Sequence, residues 1–232
     1  MSAVSMGTHG TSGRRLAGYG AVWGTAVVSG LGVMRVAFED RPYRPGQLLE
    51  DIAGVVVYLA PFVIALLATR LEDGGLQRGI WMGAGVLGLL LSISSFSGAT
   101  LVLLPGAIML LLGVRRARAE SLAGRSAGSA LAAVLVVLIG IGAWFSLQVR
   151  TDPRCFVLSR SGGTEFWRQV PDTAPGKGVG VSLGPHYVEG TCGSDVTVWG
   201  ATLSLGLWLG TMAGGALILF RRPGATLDRA TT

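Results

Sequence analysis

The residues that could take part in chemistry lie mostly in one hydrophilic segment, residues 150–195. It holds the only two cysteines, Cys155 and Cys192, and one of the two histidines, His186. Two cysteines near opposite ends of one loop favour a disulfide in an oxidising compartment, and a pair of free thiols is the alternative. On the chain-entropy model such a disulfide would stabilise the loop by roughly 3 to 4 kcal/mol.

Other chemistry in this segment would need a second group beside His186, and Glu189 is the nearest candidate. A histidine and a carboxylate can form an acid/base pair, yet a single loop histidine is more often a surface residue. An active site would require Asp51, His186 and Glu189 to converge, which no spacing indicates. Zinc is disfavoured because there is no C-x-x-C pair, and Gly178 stands where a phosphate loop needs Ser or Thr. We predict no catalytic residue, no metal site and no cofactor.

The elements that must hold this segment are strongly apolar. Half of the residues are hydrophobic and 14% are charged, which is too few polar residues for the surface of a soluble domain. A bilayer core about 30 Å thick needs roughly 20 residues of helix. Six segments approach that length, with no charged residue in their interiors: 16–36, 52–69, 79–94, 99–114, 129–149 and 196–220.

These segments predict an all-α integral membrane protein. The expected architecture is a six-span helical bundle with a small disulfide-closed β-rich extracytoplasmic loop at 150–195, and with tails at 1–15 and 221–232. The first span is expected to be retained, because its apolar run is longer than that of a secretory signal. Only residues 95–98 separate the third and fourth spans, which therefore form either a tight hairpin or a re-entrant pair.

Orientation is predicted from the arginines. Basic residues concentrate on the cytoplasmic side of membrane proteins, and eleven lie on the side of the two termini against eight on the other side. Both termini are thus expected in the cytoplasm, with the cysteine-containing segment outside the cell membrane. Because the arginines flank apolar runs rather than forming an aromatic-rich face, nucleic acid is not an expected partner.

Segment 150–195 is expected to contain two or three short strands. Its short runs of strand-forming residues are separated by glycine and proline turns. These runs are 155–158, 165–170, 179–183 and 186–188.

Two further patterns concern helix packing and cavities. Gly206, Gly210 and Gly214 recur on one helical face, which predicts close packing within the chain or a homo-oligomer contact. Gly20 with Gly24 and Gly79 with Gly83 repeat the pattern more weakly.

Tyr58 and Trp208 lie near the middle of their spans, where each polar atom needs a partner. Pro61 leaves the Val57 carbonyl free within reach of a neighbouring helix. A cavity there could admit lipid or a hydrophobic ligand, and ordinary hydrogen bonding between helices is the alternative.

The functional hypothesis rests on the loop, because mid-membrane charges that would indicate ion transport are missing. We expect a non-enzymatic binding or complex-subunit protein that acts through its extracytoplasmic segment 150–195, which we call the lobe. The expected partner is an envelope protein or a membrane-complex subunit. Phe166, Trp167 and Tyr187 are the candidate partner-binding residues. A small transporter for neutral or lipid-like cargo is the alternative. The lipid bilayer is the expected surrounding in both cases.

Overall fold

A computed structural model describes residues 10–37, 46–71, 73–94, 98–120, 127–151, 154–161, 164–170 and 187–220. Within these ranges the chain forms helices α1 (Gly10–Ala37), α2 (Gln47–Ala68), α3 (Gly74–Ser94), α4 (Gly98–Leu101), α5 (Leu104–Glu120), α6 (Ala127–Ser146) and α7 (Val198–Phe220), and strands β1 (Arg154–Ser161), β2 (Thr164–Val170) and β3 (Tyr187–Gly193).

Four helical segments are long and apolar enough to cross a membrane, judged by length and composition. They are Ser12–Arg35, Gln47–Ala68, Gly74–Ser94 and Gly128–Ser146. The prediction of a helical membrane protein is confirmed to this extent. Of the other helices, α7 has 23 residues and α5 has 17.

The contacts between helices arrange six of them as two rows of three. One row is α5, α3 and α6, and the other is α1, α2 and α7. Helices α2 and α3 are the middle members and contact each other, so each has neighbours on three sides. Two apolar cores result, one on the α1 and α5 side and the other on the α6 and α7 side.

Glycines allow the backbones of neighbouring helices to come close. A Cβ on Gly20 of α1 would lie 2.6 Å from the carbonyl oxygen of Gly106 in α5. A Cβ on Gly83 of α3 would lie 2.7 Å from the carbonyl oxygen of Ala133 in α6. Both distances are shorter than ordinary van der Waals contact, so the α1–α5 and α3–α6 pairs depend on having no side chain there.

The glycine face predicted to pack within the chain does not do so among the described residues. A Cβ on Gly206, Gly210 or Gly214 would meet nothing within 4 Å. The reason is the rotation of α7, which turns Ser204 and Trp208 into the bundle, where both side chains are fully buried. Gly206 follows Ser204 by two residues, and Gly210 follows Trp208 by two residues. Two residues correspond to about 200° around the helix, so these glycines lie on its outer side.

The fourth predicted span is broken instead of continuous. Helix α4 ends at Leu101, a turn covers 102–103, and α5 begins at Leu104. The Val102 carbonyl in the break accepts a hydrogen bond from Nε1 of Trp23 in α1, at 3.0 Å. A backbone carbonyl without an intrahelical partner is costly inside a membrane, so this bond from α1 stabilises the break.

The lobe contains a three-stranded antiparallel sheet in the order β2-β1-β3. Its short strands confirm the prediction of a β-rich loop, while the predicted run 179–183 lies outside the described residues. The central strand is buried from Phe156 to Ser159. In the register of β1 with β3, Cys155 lies directly opposite Cys192.

Candidate functional site

The candidate site lies where the sheet joins the helices, at the end of the bundle where α1 ends and α2 begins. We call this the lobe end. Three contacts hold the two connections to the sheet together: an isolated bridge between Arg150 and Val196, a 2.9 Å bond from the Thr151 amide to the Asp195 carbonyl, and a 3.1 Å bond from the Thr197 amide to the Val149 carbonyl. These backbone hydrogen bonds therefore join the two connections to each other, directly after α6 and directly before α7.

Two consecutive acidic residues of α2 form ion pairs at this end of the bundle, one with α1 and one with Arg150. Oε1 of Glu50 lies 2.7 Å from the guanidinium of Arg150, beside the sheet, and Oδ1 of Asp51 lies 2.9 Å from Nε of Arg35 in α1. Both acids are near the N-terminus of α2, where the helix dipole favours negative charge. The Glu50–Arg150 pair is exposed, and an exposed ion pair contributes about 0 to 1 kcal/mol, so this pair positions Arg150 against α2 more than it stabilises the bundle.

Asp51 differs from the other three charged residues in its burial. Its side chain is 9% exposed, against 59% for Arg35. Its Oδ1 atom accepts the bond from Arg35, while Oδ2 is buried and has no hydrogen-bond donor among the residues that the structure describes. Burying a carboxylate oxygen without a partner is costly, which makes Oδ2 the most unusual polar atom of the lobe end.

A cleft of about 500 Å³ lies beside Asp51, between α1 and α2. Apart from Arg35 and Asp51, its wall is apolar or weakly polar. The residues that line it are Ser29, Gly32, Val33, Arg35, Ala37, Leu48, Asp51, Ile52, Val55 and Val56. We call it the larger cleft.

A smaller cleft of about 310 Å³ shares Gly32, Arg35 and Val55 with the larger one. It extends towards Tyr58, and towards Thr100 at the broken span. Leu103, in the break itself, also lines this cleft, opposite Val28 and Leu31 of α1.

The mid-span aromatic residues named from the sequence have different positions. Tyr58 lines the smaller cleft. The sequence predicts a cavity near this residue. Trp208 is fully buried in the core shared with α2, and its Nε1 atom has no acceptor within the described ranges. Tyr58, unlike Trp208, thus lines a described cleft.

The predicted partner-binding residues lie on two strands of the sheet. Phe166 of β2 is 45% exposed, and Trp167 beside it is half-buried. Tyr187 begins β3, but its side chain is outside the described residues, as are those of Cys192, His186 and Glu189. Phe166 therefore provides the exposed aromatic surface of the described lobe.

Sequence reasoning did not identify the larger cleft or the pairing of Glu50 with Arg150. The two members of that pair are 100 positions apart, and no local pattern relates them. Asp51 gave no signal either, because charged residues that flank an apolar run are common. The chain matches no protein-family model, no curated protein and no solved structure.

Proposed function

We propose that this is a non-enzymatic membrane protein that binds another envelope protein, or a subunit of a membrane complex, through its lobe. The observation that carries the proposal is an exposed aromatic side chain, Phe166, on an edge strand of the described three-stranded sheet. A side chain held on a paired strand favours binding, because little backbone freedom is lost on association.

Strand β2 has the properties of a binding strand. It lies at the edge of the sheet that the described strands form, and edge strands can pair with an added strand of a partner. Along it Thr164, Phe166 and Arg168 are exposed. Aromatic residues and arginine are the types most enriched among residues that dominate binding energy.

The proposal includes a six-span topology with both termini in the cytoplasm and the lobe outside. The supports are the arginine distribution and the length of α7, which has 23 residues. It also includes a disulfide between Cys155 and Cys192. Directly opposed residues in antiparallel strands have Cα atoms about 4.5 to 5.5 Å apart, within the range that a disulfide spans. Cys155 is, moreover, not a free thiol in the described part of the chain.

Topology and disulfide are tested together by thiol labelling of intact cells with a membrane-impermeant maleimide. We expect no labelling of the untreated wild-type protein and labelling after reduction, because both thiols would be outside and oxidised. Cys155→Ser is expected to label without reduction, since Cys192 would then be a free thiol. Labelling that requires permeabilised cells would contradict the orientation, and labelling of the wild type without reduction would contradict the disulfide.

Binding through the lobe is tested with Phe166→Ala. A residue that dominates an interface costs 2 kcal/mol or more when truncated, so we expect the affinity for the partner to fall by roughly 30-fold and recovery of the cross-linked partner from native membranes to fall with it. The matched control is Phe145→Ala, since Phe145 is also exposed but lies in α6.

The control variant should recover the partner as the wild type does. Deleting residues 163–187 should abolish recovery while the protein still inserts into the membrane. If the deletion variant and the wild type recover the same proteins in the same amounts, the lobe is not the binding surface.

A further inference from the structure

We propose that a third cleft between α1 and α2, at the end of the bundle where α1 begins and α2 ends, binds an anionic phospholipid through two arginines. The cleft has a volume of about 480 Å³. Its lining, which defines what we call the basic cleft, consists of Arg14, Arg15, Gly18, Tyr19 and Val22 of α1, with Leu66 and Thr69 opposite them. The inference does not depend on the binding function proposed for the lobe.

The first step is the pair of arginines. Arg14 and Arg15 are both exposed, and neither has an acidic partner within the described ranges. Arg14 donates a hydrogen bond to the carbonyl of Thr69, which positions its guanidinium beside the end of α2. A guanidinium has five N–H donors, so Arg14 keeps donors for a ligand. Arginine binds phosphate oxygens through short, charge-assisted hydrogen bonds that are often bidentate, and the polar part of the basic cleft therefore suits a phosphate group.

The second step is the uncompensated positive charge at this end of the bundle. A Cβ on Gly13 would lie 2.8 Å from the amide nitrogen of Ala117, so the turn of α5 that carries Arg115 and Arg116 lies beside the first turn of α1. No Asp or Glu occurs in the segments of α1, α2 and α5 that meet here, which are 10–20, 66–71 and 113–117. At the lobe end, by contrast, two ion pairs cancel the charges. A ligand that supplies negative charge is favoured at the basic cleft, which selects an anionic head group over a zwitterionic one.

The third step is the order of side chains along α1. Arg15 is followed by Tyr19 and then by Val22, about 10 Å further along the helix axis. Charged, aromatic and aliphatic side chains succeed one another in this order between the head-group level and the acyl region of a bilayer. Tyr19 and Val22 are 67% and 52% exposed, on the outside of the bundle where acyl chains surround a membrane protein. Free phosphate would contact the arginines alone, whereas a phospholipid also fits the apolar wall.

The test uses the full-length protein in nanodiscs that contain equal amounts of phosphatidylglycerol, which is anionic, and phosphatidylcholine, which is zwitterionic, with the same acyl chains. Native mass spectrometry measures which lipid stays bound. We expect phosphatidylglycerol to be enriched about tenfold, the factor given by one hydrogen bond to a charged group. Equal retention of the two lipids by the wild type would overturn the proposal.

Two double variants separate this cleft from the positive charge of the whole surface. Arg14→Gln with Arg15→Gln removes the phosphate ligands, and the enrichment should then fall close to one. Arg115→Gln with Arg116→Gln removes the same formal charge from the same end, outside the cleft lining, and should keep most of the enrichment. Equal losses in the two double variants would overturn the proposal, because retention would then follow the surface charge alone.

A cleft-filling variant tests the site with all arginines present. A Cβ on Gly18 would meet nothing within 4 Å, so Gly18→Trp can place its ring in the basic cleft without moving the backbone, and we expect it to lose the enrichment. The matched control is Gly30→Trp, because Gly30 is also in α1 with nothing within 4 Å of its Cβ, but lies outside the cleft lining. It should retain phosphatidylglycerol as the wild type does. Equal enrichment in Gly18→Trp and Gly30→Trp would contradict binding in the basic cleft, whatever the outcome of the Phe166 experiment.

Discussion

Replacing Gly83 with leucine is expected to lower the midpoint of thermal unfolding of the detergent-solubilised protein by roughly 6 to 12 °C. A Cβ at this position would lie 2.7 Å from the Ala133 carbonyl oxygen and 2.9 Å from the Val136 Cβ. The first of these atoms belongs to the backbone of α6, so relief requires α3 and α6 to separate. Overpacking costs about 3 kcal/mol at the upper end of its usual range, and 1 kcal/mol corresponds to about 2 to 4 °C for a chain of this size.

The matched control for this variant is Gly210→Leu. A Cβ at Gly210 would meet nothing within 4 Å, and leucine has a higher helix propensity than glycine by roughly 1 kcal/mol. We expect an unchanged or slightly raised midpoint. Equal losses at the two positions would contradict the rotation of α7 described above. If Gly210→Leu changed the oligomeric state without lowering the midpoint, the exposed glycine face would be a contact with a second copy of the chain.

Phe62→Ala is expected to destabilise the bundle by about 3 kcal/mol. The midpoint of thermal unfolding should therefore fall by about as much as in Gly83→Leu. Phe62 is fully buried. Its ring lies against Gly24 of α1 and is 3.3 Å from where a Cβ on Gly88 of α3 would lie. The side chain therefore fills the space where three helices meet. We use the lower end of the usual cost for a buried phenylalanine, because lipid is also apolar and the loss is mainly of packing contacts.

The control is Phe145→Ala, at a position that is 59% exposed. The Phe145 ring contacts Trp144 edge to face, with ring centroids 5.2 Å apart, and such a pair contributes about 0.5 to 1.5 kcal/mol. A loss within that range is expected. Adding Gly24→Ala to Phe62→Ala should restore part of the stability, because the new methyl group would occupy space left by the ring. Equal losses of stability in Phe62→Ala and Phe145→Ala would contradict the packing of Phe62 where three helices meet.

Local sequence determined most of the secondary structure of this protein. The apolar runs predict where helices form, since a bilayer selects helices of a certain length whatever their neighbours are. The lobe strands follow from the same kind of short-range signal. The runs 155–158 and 165–170 lie within β1 and β2, and the intervening Gly162 and Gly163 occupy the two positions between Ser161 and Thr164, which pair in the register.

Tertiary structure decided which of the regularly spaced glycines lie at contacts between helices. Four-residue spacing shows that Gly206 and Gly210 share a face, as do Gly79 and Gly83, but spacing carries no information about what lies opposite that face. The rotation of each helix depends on all of its neighbours at once. For this reason the weaker pattern, at Gly83, lies at a close backbone contact, and the stronger one lies on the outside.

The candidate site could not be derived from the sequence for the same reason. In the sequence, Asp51 is one of several acids between the first two apolar runs. Its unusual status comes from Arg35 on another helix, from the burial of Oδ2 and from the cleft between α1 and α2. Hydrophobic length is a local property of the chain and can be read from it. Burial and pairing are properties of the space between helices, which exists only after they pack.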